Sequence, residues 1–411
     1  MRQIAPSGTP IRMADLAALV LGAFSQSRNL ELFRDAVCAS FGVRHCFFVS
    51  SGRAAMTLIL RSLRALSDRR KTEVVVPSYT CYSVPASIRK AGLDVRICDV
   101  DGVSFGYDLR RLEKMDLSNV LCIVTSNLYG IPDDLPALER IAMRHDIRLI
   151  DDAAQCMGGL ADGRFAGTFG DAGLFSLDKG KNITTIEGGI IVTRFDEIAA
   201  ALRIEYERLP SSALSRSAIN ILKLILYVVF LRPDLYWIPN RLPFLGLGST
   251  VYSEEFAVEK YHAIFAGLGV RLLERLREIN EARIANAEFL MKGLEGTPRL
   301  VLPAPGEQAS PVYLRFPVRV LDEERRDRCV AELNRLGICA STSYPGAVND
   351  IPEVRAGLRE EETRLPGGRV LTKRIVTLPT HPYVRRDDLV TMVDVIRQMC
   401  TWKSPFEGTP E

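Results

Sequence analysis

Two lysines stand two residues apart in a polar stretch between apolar runs. The stretch is SLDKGKNITTIEGG, residues 176–189, and it contains Lys179 and Lys181. A lysine held near apolar strands is less readily charged, so its amine becomes available as a nucleophile that can form a Schiff base with an aldehyde. The spacing predicts an amine nucleophile in this stretch without saying which lysine carries it.

Two further polar clusters follow predicted strands. SSGRAAM, residues 50–56, leaves a strand and opens a helix, where backbone N–H groups favour a phosphate. DDAAQ, residues 151–155, places carboxylates at a buried strand end, where they need a cationic partner. A phosphate site, an acid and an amine in one α/β domain suit pyridoxal phosphate, which offers a phosphate, a ring nitrogen and an aldehyde. Three unrelated strand ends with surface lysines fit the spacing equally well.

Composition narrows the class of protein. The chain has 411 residues, 47% hydrophobic and 25% charged, and its net charge of +3 is too small to indicate nucleic acid as a partner. Nine cysteines without a CxxC pair indicate reduced core thiols, and four histidines without ligand spacing predict no metal site. The run LAALVLGAF reads as an amphipathic helix and not as a signal peptide, so we expect a cytoplasmic protein.

The elements that must position these clusters alternate along the chain. From about residue 45 to 195, continuous apolar runs alternate with helical patterns, which favours a mostly parallel sheet covered on both faces. The sequence predicts four parts: an N-terminal helical segment (1–44), a large cofactor-binding α/β domain (45–210), an apolar helical insertion (211–257), and a connecting helix with a small C-terminal α/β domain (258–411).

The insertion permits two interpretations. AINILKLILYVVFL, residues 218–231, carries one charge and is too short to span a bilayer. We expect it to be buried, over the site or at a subunit contact, with Leu226 and Val229 inside. The alternative is a membrane-surface helix, with the proline-punctuated stretch that ends in LPFLGLG beside it.

Longer motifs add a family resemblance. From about residue 10 to 400 the chain resembles the DegT/DnrJ/StrS family of pyridoxal-phosphate enzymes, mostly nucleotide-sugar aminotransferases. The resemblance implies a fold-type-I architecture like that of aspartate aminotransferase, and a homodimer. The motifs that carry it, in family order, are SSGRAAM, VVVPSYTCYSVPASIRKAGLDVRICDVD, LYGIPDDLPALERIAMRHDIRLIDDAAQCMGG, GRFAGTFGDAGLFSLDKGKNITTIEGGIIVT and IVTLPTHPYVRRDDL.

The resemblance also implies roles for individual residues. Lys181 matches the Schiff-base lysine, five residues after the phosphate-contacting Ser176, and Lys179 falls on a variable position. Asp152 matches the partner of the ring nitrogen, while Asp151 points to the other side of its strand and is expected to be structural. The other cofactor-binding residues that the resemblance implies are Gly52, Arg53, Ala54, Tyr79 and Gln155.

The chain departs from the family pattern at several of these positions. Arg53 stands where a threonine is common, and Cys81 stands where the aromatic that stacks on the cofactor is expected. Either Tyr79 or Tyr82 replaces that aromatic, or the stacking is lost. The asparagine that reaches the partner subunit's phosphate is not recognisable, and the substrate loop is reduced to SYPGAVND. The cofactor side therefore resembles the family more closely than the substrate side does.

The resemblance implies an aminotransferase that moves an amino group from an amino acid, glutamate in much of the family, to a keto group on a nucleotide-linked sugar. Lys181 argues against the dehydratase subgroup, which has histidine there. Two alternatives remain open: a non-catalytic regulator that binds pyridoxal phosphate, and an aminotransferase for a lipid-linked or other non-sugar ketone.

Overall fold

Helices and strands alternate along most of the chain. The computed structural model describes residues 2–22, 25–242 and 250–401. Its strands are β1 (His45–Val49), β2 (Glu73–Pro77), β3 (Asp94–Cys98), β4 (Val120–Val124), β5 (Arg148–Asp152), β6 (Leu160–Ala161), β7 (Arg164–Phe165), β8 (Ala172–Ser176), β9 (Gly189–Thr193), β10 (Leu300–Val301), β11 (Ala309–Ser310), β12 (Arg315–Val320) and β13 (Ile375–Pro379). Its helices are α1 (Met13–Gly22), α2 (Gln26–Phe41), α3 (Gly52–Leu66), α4 (Ser83–Lys90), α5 (Leu109–Leu112), α6 (Leu135–Arg144), α7 (Asp196–Glu207), α8 (Leu214–Phe230), α9 (Trp237–Asn240), α10 (Ala266–Glu274), α11 (Leu276–Leu294), α12 (Glu323–Arg335), α13 (Pro352–Arg355), α14 (Glu360–Thr363), α15 (Gly367–Arg374) and α16 (Arg386–Thr401).

The central sheet has seven strands in the order β1-β9-β8-β5-β4-β2-β3. The neighbours from β8 through β5, β4 and β2 to β3 are parallel, whereas β9 is antiparallel to both β8 and β1. Every residue of β4 and β8 is buried, as expected when both faces of a sheet are covered. The predicted mostly parallel sheet is confirmed, and β1, β5 and β8 end at the same edge.

A second, smaller sheet forms the C-terminal α/β domain. Its order is β10-β12-β13, with antiparallel pairing throughout. Its apolar side chains share one core with those of α12 and α16, including the buried residues Phe316, Leu333 and Ile396. A large and a small α/β domain were both expected from the sequence, and the structure has both.

Residues 2–9 link the two domains. Ile4 pairs with Ile338 beside the small domain, while Ser7 donates a hydrogen bond to the carbonyl of Gly180 at 2.8 Å. The hydroxyl of Thr9 donates to the carbonyl of Lys181 at 2.8 Å. This segment therefore holds the 178–182 turn, called the lysine loop below, from outside the large sheet.

Helix α8 is only partly buried within the single chain. Leu226 and Val229 are 45% and 41% exposed, so neither is buried within the subunit, and their burial at a subunit contact stays a prediction. The side of the helix that packs against the rest of the chain carries Asn220, Lys223 and Tyr227 together with the buried Leu224. The LPFLGLG stretch lies outside the described residues except for its first leucine. Among the described residues, no helix is long and apolar enough to cross a membrane.

Candidate active site

The predicted phosphate turn lies where β1 passes into α3. Ser51 caps α3, and its side chain accepts a hydrogen bond from the N–H of Ala54 at 3.1 Å. A Cβ on Gly52 would come within 3.2 Å of the Ser176 Cβ, so the turn and the end of β8 are in close approach. The first backbone N–H groups of α3 and the Ser176 hydroxyl therefore share one region, which suits an anion.

Arg53, in the first turn of α3, stacks on an aromatic ring from the insertion. Its guanidinium lies 4.7 Å from the ring centroid of Phe256, and the amine of Lys90 lies 4.8 Å from the same centroid. The segment bearing Phe256 runs beside β1, because the N–H of Ser50 donates to the carbonyl of Glu259 at 2.9 Å. Two cations thus flank the turn, which adds to its attraction for a phosphate.

The two adjacent aspartates at the end of β5 have different surroundings. Asp151 is fully buried and accepts hydrogen bonds from Thr125, Asn127 and the N–H of Gly167, so it ties neighbouring loops together. Its structural role, expected from the alternation of side chains along a strand, is confirmed. It is the second aspartate, Asp152, that faces the opposite way.

Asp152 has spare hydrogen-bonding capacity. One carboxylate oxygen accepts from the N–H of Ala154 at 3.0 Å, and the other makes no hydrogen bond with a described residue. Burial raises the pKa of Asp152 to about 6, while the Ala154 N–H and the nearby charge of Lys181 act in the opposite direction. A buried carboxylate of this kind can accept a hydrogen bond from a protonated ring nitrogen.

Lys181 and Lys179 differ in burial. Lys181 is partly buried and close enough to Asp152 for their charges to interact, whereas Lys179 is exposed. The amine of Lys181 makes no hydrogen bond or ion pair with the described residues. The backbone of the lysine loop is held by Thr9 and by the hydroxyl of Tyr227, which donates to the carbonyl of Lys179 at 3.0 Å. The loop thus presents Lys181, and not its neighbour, toward the aspartate.

Gln155 connects the large domain to the small one. Its amide nitrogen donates to the hydroxyl of Tyr344 at 2.9 Å, and its oxygen accepts from the N–H of Tyr129 at 3.1 Å. Tyr79, predicted to stack on the cofactor, is fully buried with its hydroxyl 3.1 Å from that of Tyr129, and its ring centroid lies 5.4 Å from that of Tyr344. The stacking role of Tyr79 stays a prediction.

A guanidinium faces these tyrosines from the small domain. Arg315 begins β12, and its guanidinium makes no hydrogen bond or ion pair with the residues that the structure describes. Burial lowers the pKa of Arg315, and the tyrosine hydroxyls around it act in the opposite direction. The four tyrosines are Tyr79, Tyr129, Tyr236 and Tyr344. A cation without an acidic partner at this position can bind an anionic group.

Sequence reasoning missed several residues of this site. Asn127 follows β4 and donates to the carbonyl of Asp152 at 2.8 Å, so the rule that polar residues gather at the carboxyl ends of parallel strands could have found it. Tyr129 has a left-handed backbone with φ of 60°, which bulky residues adopt rarely and which no sequence motif predicted. Arg315 lies in a segment that the sequence identified only as a strand.

Comparisons with known proteins identify the family of the chain. The chain matches the model of the DegT/DnrJ/EryC1/StrS aminotransferase family over residues 12–217 and 250–397. The chain belongs to this family. Its fold and its family, both expected from the motifs, are therefore confirmed, and so is its class of enzyme, an aminotransferase.

Two curated relatives cover most of the chain. A UDP-N-acetyl-3-dehydro-alpha-D-glucosamine 3-aminotransferase from Acidithiobacillus ferrooxidans is 26% identical over 94% of this chain and 91% of that protein. A dTDP-3-amino-3,4,6-trideoxy-alpha-D-glucose transaminase from Streptomyces venezuelae is 27% identical over 92% of this chain and 88% of that protein. Both are aminotransferases named for sugar nucleotides.

Solved structures share the fold over the same extent. S. venezuelae DesV in complex with a ketimine intermediate superposes with a TM-score of 0.74 at 25% identity, covering 92% of this chain and 90% of that one. An E. coli GDP-4-keto-6-deoxy-D-mannose-3-dehydratase with bound hydrated pyridoxal phosphate gives a TM-score of 0.76 at 20% identity, covering 96% and 100%. The second likeness concerns the fold alone.

Proposed function

We propose that this aminotransferase uses pyridoxal 5′-phosphate to move an amino group from an amino acid, glutamate in the first instance, to a keto group on a nucleotide-linked sugar. The observation that carries the proposal is the meeting of Lys181, Asp152 and the phosphate turn at one edge of the central sheet. The sugar-nucleotide names of the two curated relatives support the acceptor class.

The residues at this edge fit the cofactor. When bound, the cofactor supplies an aldehyde and an electron-withdrawing ring. The turn at Gly52, with Ser176 beside it, would hold the phosphate, and the free carboxylate oxygen of Asp152 would accept a hydrogen bond from the ring nitrogen. Lys181 would hold the aldehyde carbon and, once released from it, move the substrate proton through its amine nitrogen.

The donor site follows from Arg315. An amino-acid donor brings a carboxylate, and a guanidinium pairs with a carboxylate in bidentate geometry. Arg315 lies among the tyrosines that reach Gln155, on the small-domain side of the proposed cofactor site. We infer that it binds the donor carboxylate, whose neighbouring carbon carries the amine to be transferred.

The active enzyme is proposed to be a homodimer. Support comes from the family resemblance, in which each site is completed by the partner subunit. The family asparagine that makes this contact is not recognisable in the sequence, so a different residue would have to complete the site.

Borohydride trapping tests the central proposal. The purified protein, loaded with pyridoxal phosphate and reduced, is expected to carry one covalent adduct, on the tryptic peptide that contains Lys181. Lys181→Ala is expected to abolish the adduct and transamination, while Lys179→Ala, the matched control two residues away, keeps both. An adduct on Lys179, or none at all, would refute the assignment.

A further inference from the structure

A guanidinium lies completely inside the protein, where the two domains meet. It belongs to Arg283 on α11, which is 0% exposed. Arg283 makes no ion pair with the residues that the structure describes. Burying a cation without an acidic partner costs free energy, and an apolar side chain of similar length would avoid that cost. The hydrogen bonds that the guanidinium makes therefore need an explanation.

The guanidinium bridges two segments that lie far apart in the sequence. One of its terminal nitrogens donates to the carbonyl of Leu314 at 3.1 Å. The other donates to the carbonyl of Gly8 at 2.7 Å and lies 3.4 Å from the hydroxyl of Thr9. Because the nitrogens of a guanidinium are fixed in one plane, the two carbonyls are held at a set separation. Arg283 thus joins residues 2–9 to the segment that leads into β12.

Each bridged segment continues directly to one part of the proposed site. Thr9, which follows Gly8, donates to the carbonyl of Lys181 at 2.8 Å. Leu314 is followed by Arg315, the first residue of β12, whose guanidinium we infer binds the donor carboxylate. The backbone that carries the amine and the backbone that carries the carboxylate-binding guanidinium are therefore connected through one buried side chain.

Two residues of the C-terminal motif IVTLPTHPYVRRDDL support the same junction. The hydroxyl of Thr380 donates to the carbonyls of residues 313–314, at 2.6 and 3.2 Å. The ring of His381 donates through Nε2 to the carbonyl of Ala5 at 2.9 Å. Burial lowers the pKa of His381 to about 4, and the charge of Arg283 acts in the same direction, so the ring is neutral. The proposed reaction gave this motif no role, and its contacts with residues 2–9 and 313–314 now supply one.

Two cations lie near each other at this junction. Burial lowers the pKa of Arg283 to about 10; the Tyr227 hydroxyl opposes the shift and the charge of Arg315 adds to it. Arg283 therefore stays charged at neutral pH. Neither guanidinium has an acidic partner among the described residues, so together they favour an anion at the accessible one, Arg315.

We propose that Arg283 is a positioning residue for the amino donor, because it fixes the place of Lys181 relative to the carboxylate that Arg315 binds. The inference rests on the proposed function, from which it takes the roles of Lys181 and Arg315. A misplacement of about 1 Å between reacting groups can cost about a hundredfold in rate. If Arg283 contributed only to stability, its replacement would not be coupled to Arg315 in the kinetics.

Arg283→Met tests the inference, because it keeps the length of the side chain and removes its charge and its donors. In a single turnover at saturating glutamate, the loaded variant is expected to convert the cofactor to its amino form about 10- to 100-fold more slowly than the parent. Its KM for glutamate should stay within about threefold, since Arg315 still binds the carboxylate. A rate equal to that of the parent would overturn the inference.

A double-mutant cycle with Arg315→Leu separates positioning from stability. Without Arg315 the donor carboxylate is no longer anchored, so Arg283→Met should then lower kcat/KM for glutamate by less than about threefold. An effect as large as in the parent background would overturn the inference and leave the proposed function standing. If Arg315→Leu alone left the kinetics with glutamate unchanged, the proposed donor site and the inference would both be wrong.

Arg325→Met is the matched control. Arg325 is 2% exposed, and its guanidinium lies 3.5 Å from the carbonyls of Met399 and Cys400, within the small domain. Its replacement also removes a buried guanidinium from backbone carbonyls, but it should leave the rate and the KM for glutamate unchanged. A rate as low as that of Arg283→Met would show that loss of any such guanidinium slows the reaction, and would overturn the inference.

Hydrogen exchange on the protein without cofactor gives a measurement that does not depend on activity. Arg283→Met should speed up exchange in the lysine loop and at the start of β12, because both lose the side chain that connects them. Arg325→Met should leave both segments unchanged, and an unchanged lysine loop in Arg283→Met would contradict the inference. Arg283→Lys, which keeps the charge but not the planar fork, repeats every measurement if Arg283→Met fails to fold.

Discussion

Asp152 sets a testable pH dependence for cofactor binding. In the free protein burial raises its pKa to about 6, so the carboxyl is neutral below that pH and cannot hold a protonated ring nitrogen. Affinity for pyridoxal phosphate should therefore fall as the pH drops below about 6, by up to about tenfold per pH unit. Absorbance titration from pH 8 to about pH 5 measures it, with Lys181→Ala as the background to remove covalent attachment.

The matched variant is Asp152→Asn in the same background. It should bind the cofactor weakly at every pH, without the added loss below pH 6, because no carboxylate remains to titrate. In the enzyme with Lys181 intact, the same substitution should lower turnover on the order of a hundredfold. An Asp152→Asn titration as steep as that of the parent would place the titrating group elsewhere.

Arg315 should control the affinity for the amino donor. Arg315→Leu is expected to raise the KM for glutamate about 10- to 100-fold, the loss of a charged hydrogen bond, with a smaller effect on kcat. The KM for the keto acceptor should change little when it is measured on enzyme that already carries the amino group. Arg315→Lys should recover part of the loss, because it keeps the charge but not the bidentate geometry. Equal changes in both KM values would contradict the assignment.

For individual residues, the sequence was informative where family motifs exist. Lys181 and Asp152 could be proposed because the strand ends pointed to their two clusters and the family motifs then identified one residue in each. Arg315 could not, because its significance depends on four tyrosines from distant parts of the chain and on the absence of an acidic partner among the described residues. Such information is contained in the packing of two domains and not in any local pattern.

The attachment of α8 to the lysine loop can be tested through one hydroxyl. Tyr227→Phe removes hydrogen bonds to the backbone of Thr9 and Lys179. We expect the free energy of unfolding to fall by about 1–3 kcal/mol, since two backbone groups lose their partner. Chemical denaturation measures the change, and hydrogen exchange should speed up in the lysine loop.

Tyr206→Phe provides the control. Tyr206 is also partly buried on a helix, but its hydroxyl makes no hydrogen bond with the described residues. Its unfolding free energy should stay within ~0.5 kcal/mol of the parent. A Tyr227→Phe protein as stable as Tyr206→Phe would show that the hydroxyl contributes little to holding α8.

The sequence predicted the positions of the strands better than it predicted the packing of α8. A strand inside a parallel sheet is covered on both faces, so an apolar run such as VLCIV in β4 is enough to identify it. In α8 the run from Ile221 to Phe230 is apolar except for Lys223 and Tyr227, so the pattern did not say which side packs inward. Within the subunit the side with Asn220 and Tyr227 packs inward and Leu226 and Val229 are exposed, while their burial at a subunit contact stays a prediction.

The whole molecule is expected to be a homodimer in solution. Light scattering should give a mass of twice the 45.7 kDa chain. The physical reason is that, in the family it resembles, a fold-type-I site is completed by residues from a neighbouring subunit. A mass of one chain at full activity would contradict the expectation.

The path of residues 2–9 has a consequence for synthesis on the ribosome. This segment emerges first, yet Ile4 pairs with Ile338, which emerges more than three hundred residues later. Until then Ser7 and Thr9 lack the support that this pairing adds to their contacts with the carbonyls of Gly180 and Lys181, although Tyr227 can already hold Thr9. Contacts so far apart in sequence form late, because a long loop must close before they are gained. The lysine loop should therefore be the last part of the large domain to become rigid, and a nascent chain halted before Ile338 should hold the cofactor poorly even with its central sheet complete.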